Sequence, residues 1–449
     1  MMSIPFDSTL FAQVSRPNVL IIYSDDQGSI DVNCYGARDL ETPNMDRLAE
    51  TGVRFSQMLA PGSVCTPSRA GLMTGRIPWR VGLPSNAATR RGGRGMEPAV
   101  YTVAELFRDN GYRTSHIGKW HLGFQKETMP TGQGFNYSFG HMGGCIDFYY
   151  WGGPNQHDLW RNAEEVWEDG ENFGGLMVRE LKAQMDQANQ SPFFIYWAVN
   201  WPHYPLQGFA KWRKHYAHLP PPRNMYAAFV SSLDDLIGEV VNHLEETGKR
   251  KNTILLFQSD HGHSIEERTF SGGGDSGPYR GHKGSLFEGG LRVPSIVSWP
   301  GRIPQGQVRD QFVTGCDWFP TFAEYCRIQL PENLKLDGES ITRVIKSGDA
   351  ASPHPDFFWS NGRKNPSWAV RKGQWKLLGN PRDGRNPKSL TDSDKLFLVD
   401  LDQDISETKN LREEFPDKVS ELQKIRREYE AGIQRDLQVL YPDSSPVQK

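Results

Sequence analysis

The chain has 449 residues, of which 51 are Lys or Arg and 54 are Asp or Glu, so its formal net charge is only -3. A chain of this length can bury a large core, and so small a net charge provides no global field that would attract nucleic acid. The five cysteines include no Cys-x-x-Cys pair, which argues against a zinc module and a disulfide scaffold, although Cys316 and Cys326 could form one bridge.

The first predicted feature along the chain is an irregular extension over residues 1–16, which lacks the apolar core of a secretion signal. No later apolar stretch is long enough to span a bilayer. We therefore expect a protein without a membrane span and without a nucleic-acid partner. It would be periplasmic or secreted if a leader has been removed.

Predicted strands and helices then alternate along the chain. Continuous apolar runs predict buried strands at residues 18–23, 112–117, 193–199, 253–257 and 293–299. Capping residues and apolar positions spaced three and four apart predict helices over residues 43–50, 65–75, 100–110 and 224–246. This alternation predicts an α/β protein with helices on both faces of its sheet.

The pattern changes from about residue 353 onward. Shorter strands are predicted at 368–371, 374–378 and 396–399, and a charged helix follows over residues 415–435. Antiparallel pairing is favoured for strands of this kind. We expect two units, a large N-terminal domain over residues 1–350 and a C-terminal subdomain of antiparallel sheet plus helix over residues 351–449.

Polar clusters stand directly after four of the predicted strands. They are Asp25 with Asp26, Lys119 with His121, His203, and Asp260 with His261. Ligands of α/β sheets bind beyond the carboxyl ends of the strands, so these clusters are expected to meet in one site.

The carboxylates favour a divalent cation. Asp25 and Asp26 would repel one another unless a cation neutralised them, and Asp260 would complete a set of oxygen ligands. A solvated acidic turn is the alternative for the pair alone. His261 complicates the choice of metal, because calcium prefers oxygen while imidazole suits zinc, manganese or iron. Calcium is the ion that we expect.

Further side chains could bind an anion or move a proton. Lys119 and His121 are two residues apart, on the same side of an extended segment. His203 lies in a loop with prolines, where an imidazole could serve as general acid. Lys283 stands between glycines that allow a ligand to approach closely. The alternatives are packed histidines and an ordinary glycine-rich loop.

The string Cys65-Thr66-Pro67-Ser68-Arg69 carries the most information. Pro67 suits the first turn of a helix, which places Cys65 at the helix N-terminus. Unpaired backbone N–H groups and the helix dipole favour an anion there. An isolated cysteine is otherwise more often an ordinary buried residue.

Together with the strand-end clusters, this string resembles the formylglycine-dependent sulfatases, in the arylsulfatase branch of the alkaline-phosphatase-like superfamily. The matching segments occur in the family's order over nearly the whole chain, from Asp25 to residues 281–294. The resemblance implies a large mixed sheet flanked by helices on both faces, a catalytic N-terminal domain and a smaller C-terminal subdomain.

The resemblance also implies the nucleophile and the metal ligands. A maturation enzyme would convert Cys65 to formylglycine, whose hydrated aldehyde is a gem-diol. One hydroxyl would attack sulfur, and the other would later expel sulfate. One calcium ion would be held by Asp25, Asp26, Asp260, His261 and the modified Cys65. Many arylsulfatases have asparagine at the position of His261.

The remaining roles follow from the same resemblance. Arg69 and His121 would steady the diol, and Lys119 and Lys283 would bind the sulfate oxygens. His203 would protonate the leaving oxygen. Charge develops on the sulfuryl oxygens and on the leaving oxygen, so fixed cations and a general acid suit this reaction.

The predicted function is hydrolysis of a sulfate ester, with a sulfated carbohydrate as substrate. The aromatic insert over residues 149–161 could stack on sugar rings or pack on its own domain. Arg90, Arg91 and Arg94 could bind an acidic polymer or form a solvated basic loop. One alternative is a hydrolase of phosphonate monoesters or phosphodiesters. Another is a sulfated-glycan binding protein whose Cys65 stays a thiol.

Overall fold

A computed structural model of the protein describes residues 16–153, 156–188, 191–384, 386 and 390–442. The predicted extension at residues 1–16 thus lies outside the described residues except for Arg16. Among the described helices, none has the length and apolar character needed to cross a membrane.

The strands and helices have the following bounds. The strands are β1 (Asn18–Ser24), β2 (Gly52–Phe55), β3 (Met58–Leu59), β4 (Arg113–Lys119), β5 (Tyr137–His141), β6 (Gly152–Gly153), β7 (Gln156–His157), β8 (Trp160–Arg161), β9 (Glu164–Glu165), β10 (Phe193–Ala198), β11 (Thr253–Ser259), β12 (Ser295–Ser298), β13 (Gln307–Arg309), β14 (Val313–Thr314), β15 (Phe357–Asn361), β16 (Ser367–Lys372), β17 (Trp375–Gly379) and β18 (Leu396–Asp400). The α-helices are α1 (Pro43–Glu50), α2 (Cys65–Thr74), α3 (Val103–Asp109), α4 (Phe173–Gln187), α5 (Ala210–His215), α6 (Arg223–Glu246), α7 (Glu288–Leu291), α8 (Trp318–Tyr325), α9 (Thr342–Lys346) and α10 (Pro416–Leu440).

A ten-stranded sheet in the order β13-β2-β12-β11-β1-β10-β4-β5-β8-β9 forms the centre of the protein. Strands β11, β1, β10, β4 and β5 are parallel neighbours, whereas β12 and β8 run antiparallel to the strands beside them. The predicted large mixed sheet is therefore confirmed.

Strand β1 contributes to a core on each face of this sheet. Val19, Ile21 and Tyr23 pack on one side with residues of α2, α3 and α8. Leu20 and Ile22 pack on the other side with residues of α1, α4 and α6. An apolar run without alternation is what a strand buried on both faces requires. Helices on both faces, the second part of the predicted fold, are confirmed.

A second sheet lies toward the C-terminus. Strands β15, β16, β17 and β18 pair antiparallel in chain order, and α10 packs against them through Leu422, Ile433 and Leu437. The predicted antiparallel sheet plus helix is confirmed. The division of the chain into residues 1–350 and 351–449 stays a prediction.

Several elements differ from the prediction. Strands β2 and β5 and helices α4 and α8 were not predicted. Helix α3 begins at Val103 rather than Val100 because Thr102 and Glu105 form a capping box. The five cysteines are all free, so Cys316 and Cys326 form no bridge.

A buried ionic cluster attaches the C-terminal sheet to α7. Lys376 of β17 lies with its ammonium 2.9 Å from a carboxylate oxygen of Glu288 and 3.0 Å from one of Glu407. Arg292 also pairs with Glu288, at 2.7 Å. The side chains of Lys376, Glu288 and Glu407 are fully buried, so each depends on the others for its charge balance.

Substitution Lys376→Ala is expected to destabilise the protein by about 3–5 kcal/mol, because the buried carboxylate of Glu407 loses the cation paired with it and Glu288 keeps only Arg292. Urea unfolding measures the change. Lys372→Ala is the matched control, since Lys372 pairs with Glu421 at 2.6 Å on the surface and should change stability little. Equal losses in the two variants would contradict the importance assigned to the buried cluster.

Candidate active site

The pairing register of two central strands brings three carboxylates together. Ser24 of β1 is opposite Ser259 of β11, so the residues that follow, Asp25 and Asp260, leave the sheet side by side. The backbone N–H of Asp260 donates to the carbonyl of Ser24 at 3.0 Å. Asp26, at φ 63, turns its N–H toward Asp260 Oδ1 at 3.2 Å. All three aspartates are buried.

Arg69 compensates part of this negative charge. It projects from α2 with no exposed side-chain surface, and its Nη2 lies 3.0 Å from Asp260 Oδ2 and 3.5 Å from Asp25 Oδ1. Its other terminal nitrogen donates to Tyr196 Oη at 3.3 Å. The guanidinium therefore joins the carboxylates of two neighbouring strands.

Cys65 is buried at the first residue of α2, as predicted from the sequence. Its Sγ lies 3.3 Å from Lys119 Nζ, 3.3 Å from His261 Nε2 and 3.6 Å from Asp25 Oδ1. Burial acts to raise the pKa of Cys65, yet Lys119 and Lys283 hold that pKa well below its ordinary value. Position 65 is thus a place where negative charge is stabilised.

Lys119 connects Cys65 to the carboxylates. It is the last residue of β4, and its Nζ is 2.6 Å from Asp25 Oδ2. Burial opposes the charge on both partners, but the attraction of Lys119 keeps the pKa of Asp25 well below its ordinary value. Burial and the nearby Asp25 carboxylate raise the pKa of Asp260 to about 8.

His203 and Lys283 lie together beside Asp26. Lys283 Nζ is 2.9 Å from Asp26 Oδ2 and 3.3 Å from His203 Nε2. His203 Nδ1 is 3.0 Å from the carbonyl of Tyr204, to which it donates, so Nε2 is the atom directed into the site. Burial lowers the pKa of His203, and Asp26 acts in the opposite direction.

His121 completes the group around Cys65. It adopts φ 54, and the carbonyl of this residue accepts from Thr66 Oγ1 at 2.7 Å. Gly144 packs against its ring so closely that a Cβ there would lie 3.0 Å from Cε1. Burial lowers the pKa of His121 to about 4, with Cys65 acting in the opposite direction.

The donor set fits a divalent cation. Ligand atoms of Asp25, Cys65, Asp260 and His261 all lie within 4.8 Å of one another, as do those of Asp25, Asp26, Cys65 and His203. One ion with metal–oxygen distances of about 2.4 Å can bridge atoms so far apart. The charge crowding that raises the pKa of Asp260 is the condition that a cation relieves.

These residues surround a cavity of about 290 Å³. Cys65, His121, His203 and Lys283 line it, so the predicted clusters do meet in one place. Two further lining residues carried no sequence signal. Glu266 lies 3.3 Å from Lys283 Nζ, and Arg268 pairs with Glu266 at 2.7 Å.

The aromatic insert and the arginine loop, both predicted to bind a ligand, agree with that prediction only in part. In the aromatic insert, Trp151 is fully buried against Phe173, whereas Tyr150 is 72% exposed. For Trp151 the packing alternative is confirmed. Arg91 forms an ion pair with Glu165, while Arg90 lines the cavity.

Comparison with known proteins supplies the family. A family model described as Sulfatase matches residues 17–328. The chain belongs to the sulfatase family. A second model, described as N-sulphoglucosamine sulphohydrolase, C-terminal, matches residues 279–435 of this sulfatase-family enzyme. The resemblance inferred from the motifs is confirmed.

Two relatives and one solved structure illustrate the similarity. Arylsulfatase J of Mus musculus is 32% identical over 399 residues, which cover 82% of this chain but only 65% of that protein. N-acetylgalactosamine-6-sulfatase of Rattus norvegicus is 32% identical over 381 residues, covering 80% of this chain and 71% of that protein. The crystal structure of Ps i-CgsB in complex with k-i-k-neocarrahexaose superposes with a TM-score of 0.83 at 29% identity, covering 92% of this chain and 93% of that one.

Calcium is expected to stabilise the chelator-treated protein, by about 2.7 kcal/mol at a concentration 100 times its Kd. Asp260→Asn should reduce this increase, because it removes a charged ligand. Thermal unfolding with added Ca²⁺, Mn²⁺ or Zn²⁺ measures the effect and ranks the ions.

Asp186→Asn is the control for this experiment, since Asp186 is 53% exposed and pairs with His243 away from the site. This variant should be stabilised by calcium as much as the parent protein is. A calcium effect of equal size in Asp260→Asn would show that the ion binds elsewhere.

Proposed function

We propose that the protein hydrolyses sulfate esters of a sulfated carbohydrate through a formylglycine formed from Cys65 by a maturation enzyme. The observation that carries this proposal is the position of Cys65. It lies at the N-terminus of a buried helix and lines a cavity, with Lys119 Nζ and His261 Nε2 each 3.3 Å from its Sγ. These neighbours would stabilise an anionic oxygen at the same position.

The modified residue would supply a hydrated aldehyde whose oxygen attacks sulfur. Lys119 and Lys283 reach toward position 65 from two sides, and both are already paired with carboxylates, which fixes their ammonium groups. They can therefore neutralise the sulfuryl oxygens without reorganising. His121, on the cavity wall, would hold the diol.

Arg69 has a more indirect role in this proposal than the resemblance implies. Its terminal nitrogens contact Asp25, Asp260 and Tyr196, so it would hold the metal-binding carboxylates in place. Calcium bound by Asp25, Asp26, Asp260, His261 and the modified residue would polarise the sulfate. In this arrangement Arg69 would steady the diol through those carboxylates.

His203 would protonate the leaving oxygen. Its Nδ1 is engaged by the carbonyl of Tyr204, and its Nε2 faces Lys283 and the cavity. An imidazole held in this way can present a proton in one direction only. The ammonium of Lys283 would bind the sulfate beside it.

The substrate class rests on two kinds of support. One relative is named for N-acetylgalactosamine-6-sulfate chemistry, and the similar crystal structure contains a neocarrahexaose. The charged residues that line the cavity of the present chain are three cations and two carboxylates, and amide side chains lie among them, which suits a polar, anionic ligand. A periplasmic or secreted location stays a prediction.

Conversion of Cys65 can be tested directly. After co-expression with a formylglycine-generating enzyme, the peptide that contains Cys65 should have the lower mass of the aldehyde. Cys65→Ala should lose sulfate release by at least about 10³-fold, since the nucleophile is removed. Cys34→Ala, at a half-buried cysteine outside the site, is the control and should retain activity. A persistent thiol without sulfate release would favour the glycan-binding alternative.

His203→Ala should lower kcat by about 10²–10⁴-fold on sugar sulfates, whose leaving alcohols need a proton. The loss should be much smaller on aryl sulfates with an acidic phenol. In the parent protein the protonated imidazole is the active form, so kcat should fall as pH rises through the pKa of His203. Burial holds that pKa below its ordinary value, and the falling limb should be absent from the variant. An equal loss on both substrates would contradict the role of general acid.

The histidine at position 261 favours the alternative function, hydrolysis of phosphonate monoesters or phosphodiesters. The Asp260-His261-Gly262 segment resembles that of several sulfatases and also that of the related phosphonate monoester hydrolases. Parallel turnover of an aryl sulfate and an aryl phosphonate monoester by the matured enzyme separates the two reactions. A higher kcat/KM for the phosphonate would overturn the proposal.

A further inference from the structure

A second cavity, of about 340 Å³, lies next to the active-site cavity. Asn86 lines both of them, so only a short loop separates the two. Asn86 Oδ1 accepts from the N–H of Thr66 at 3.1 Å, and Thr66 Oγ1 accepts from the N–H of Ala87 at 3.0 Å. The wall between the cavities is therefore attached to the residue that follows Cys65.

Two arginines, Arg94 and Arg363, line the second cavity. One nitrogen of Arg363 donates to the carbonyl of Gly82 at 3.2 Å. Within the described ranges, neither guanidinium lies within ion-pair distance of a carboxylate, and the same is true of Arg90 in the first cavity. The neighbouring arginines differ in this respect, because Arg91 is paired with Glu165 and Arg268 with Glu266. The basic loop predicted from the sequence thus leaves two of its three guanidinium groups available to a ligand.

The loops that carry these arginines are fixed by backbone hydrogen bonds. On the side of Arg94, the N–H of Met96 donates to the carbonyl of Leu122 at 2.7 Å. On the side of Arg363, the N–H of Gly362 donates to the carbonyl of Pro84 at 2.9 Å. Loops anchored in this way hold the backbone of each arginine in place before a ligand arrives, which removes the cost of ordering the loops from the entropy lost on binding.

The second cavity remains cationic when its acidic group is included. Arg94, Arg363, Glu97 and Tyr441 all line this cavity. Burial and Glu97 raise the pKa of Tyr441 to about 12, while Arg363 and Arg94 act in the opposite direction. Two arginines against one carboxylate leave an excess of positive charge at this place.

We propose that the second cavity binds an additional anionic group, a sulfate or a carboxylate, on a sugar next to the one whose sulfate ester is cleaved. This inference rests on the proposed function. Arginine presents paired N–H donors that match the oxygens of both anions. Arg90 lines the first cavity and belongs to the same chain segment as Asn86 and Arg94, which line the second. The preferred substrate would accordingly be a chain with anionic groups on adjacent sugars.

The test compares oligosaccharides of equal length with one sulfate, with two sulfates on adjacent sugars, or with one sulfate and one carboxylate. The parent enzyme should have a lower KM for both substrates with two anions. Replacing Arg94 and Arg363 together by Ala should reduce this preference about tenfold or more, the effect of losing a hydrogen bond to a charged group. If the preference falls for one substrate only, that substrate carries the anion that the site binds.

Arg91→Ala is the matched control, because it removes the same charge from the same loop but from a guanidinium already paired with Glu165. It should keep the preference for two anions. An unchanged preference in the double variant, or an equal reduction in Arg91→Ala, would overturn the second anionic site.

Binding to the Cys65→Ala protein separates this inference from the proposed function. Calorimetry at low salt should show tighter binding of the two-anion oligosaccharides, with a preference that weakens as salt is added. If the parent protein releases no sulfate but the variant still prefers two anions, only the hydrolytic function fails. If sulfate is released without any such preference in turnover or binding, only the second site fails.

Discussion

The rest of the structure depends on the repulsion between three buried carboxylates at the carboxyl ends of β1 and β11. The parallel register makes this proximity unavoidable, since pairing Ser24 with Ser259 places Asp25 beside Asp260. Buried like charges are costly unless cations surround them. Arg69 and Lys119 approach from two other elements at 3.0 Å and 2.6 Å to provide that compensation. A sheet order that brings β4 within reach of β1 is therefore a requirement of the site.

Helix α2 brings Arg69 to these carboxylates because the helix is buried along its whole length. All ten of its residues, Arg69 included, are buried, which is unusual for a helix with a charged side chain. Such burial needs close backbone approach: a Cβ at Gly71 would lie 2.2 Å from that of Pro61. Fixing α2 in this way also fixes Cys65, because the helix begins there. Packing and electrostatics thus determine the position of Cys65 together.

Local sequence patterns predict the central strands and the residues at their ends, because burial on both faces and strand termination are local properties. Helix α4 was missed since its first turn contains Gly174 and Gly175, which weaken a helical pattern. The pairing of Arg69 with Asp260 joins residues 191 positions apart, so no local pattern reveals it. The same holds for Arg363, which reaches the second cavity only because the C-terminal sheet docks there.

His261 shows how proton and metal compete at such a site. Its Nδ1 lies 2.9 Å from the carbonyl of Gly262, a partner that leaves Nε2 directed at Cys65 and the carboxylates. Burial opposes its charge, but Asp260 and Cys65 raise its pKa to about 9. A cation bound by those same carboxylates would remove that attraction and displace the proton from Nε2. The crowded carboxylates that make the imidazole basic would therefore also prepare it to bind the proposed cation, which is how a histidine could take its place among carboxylate ligands.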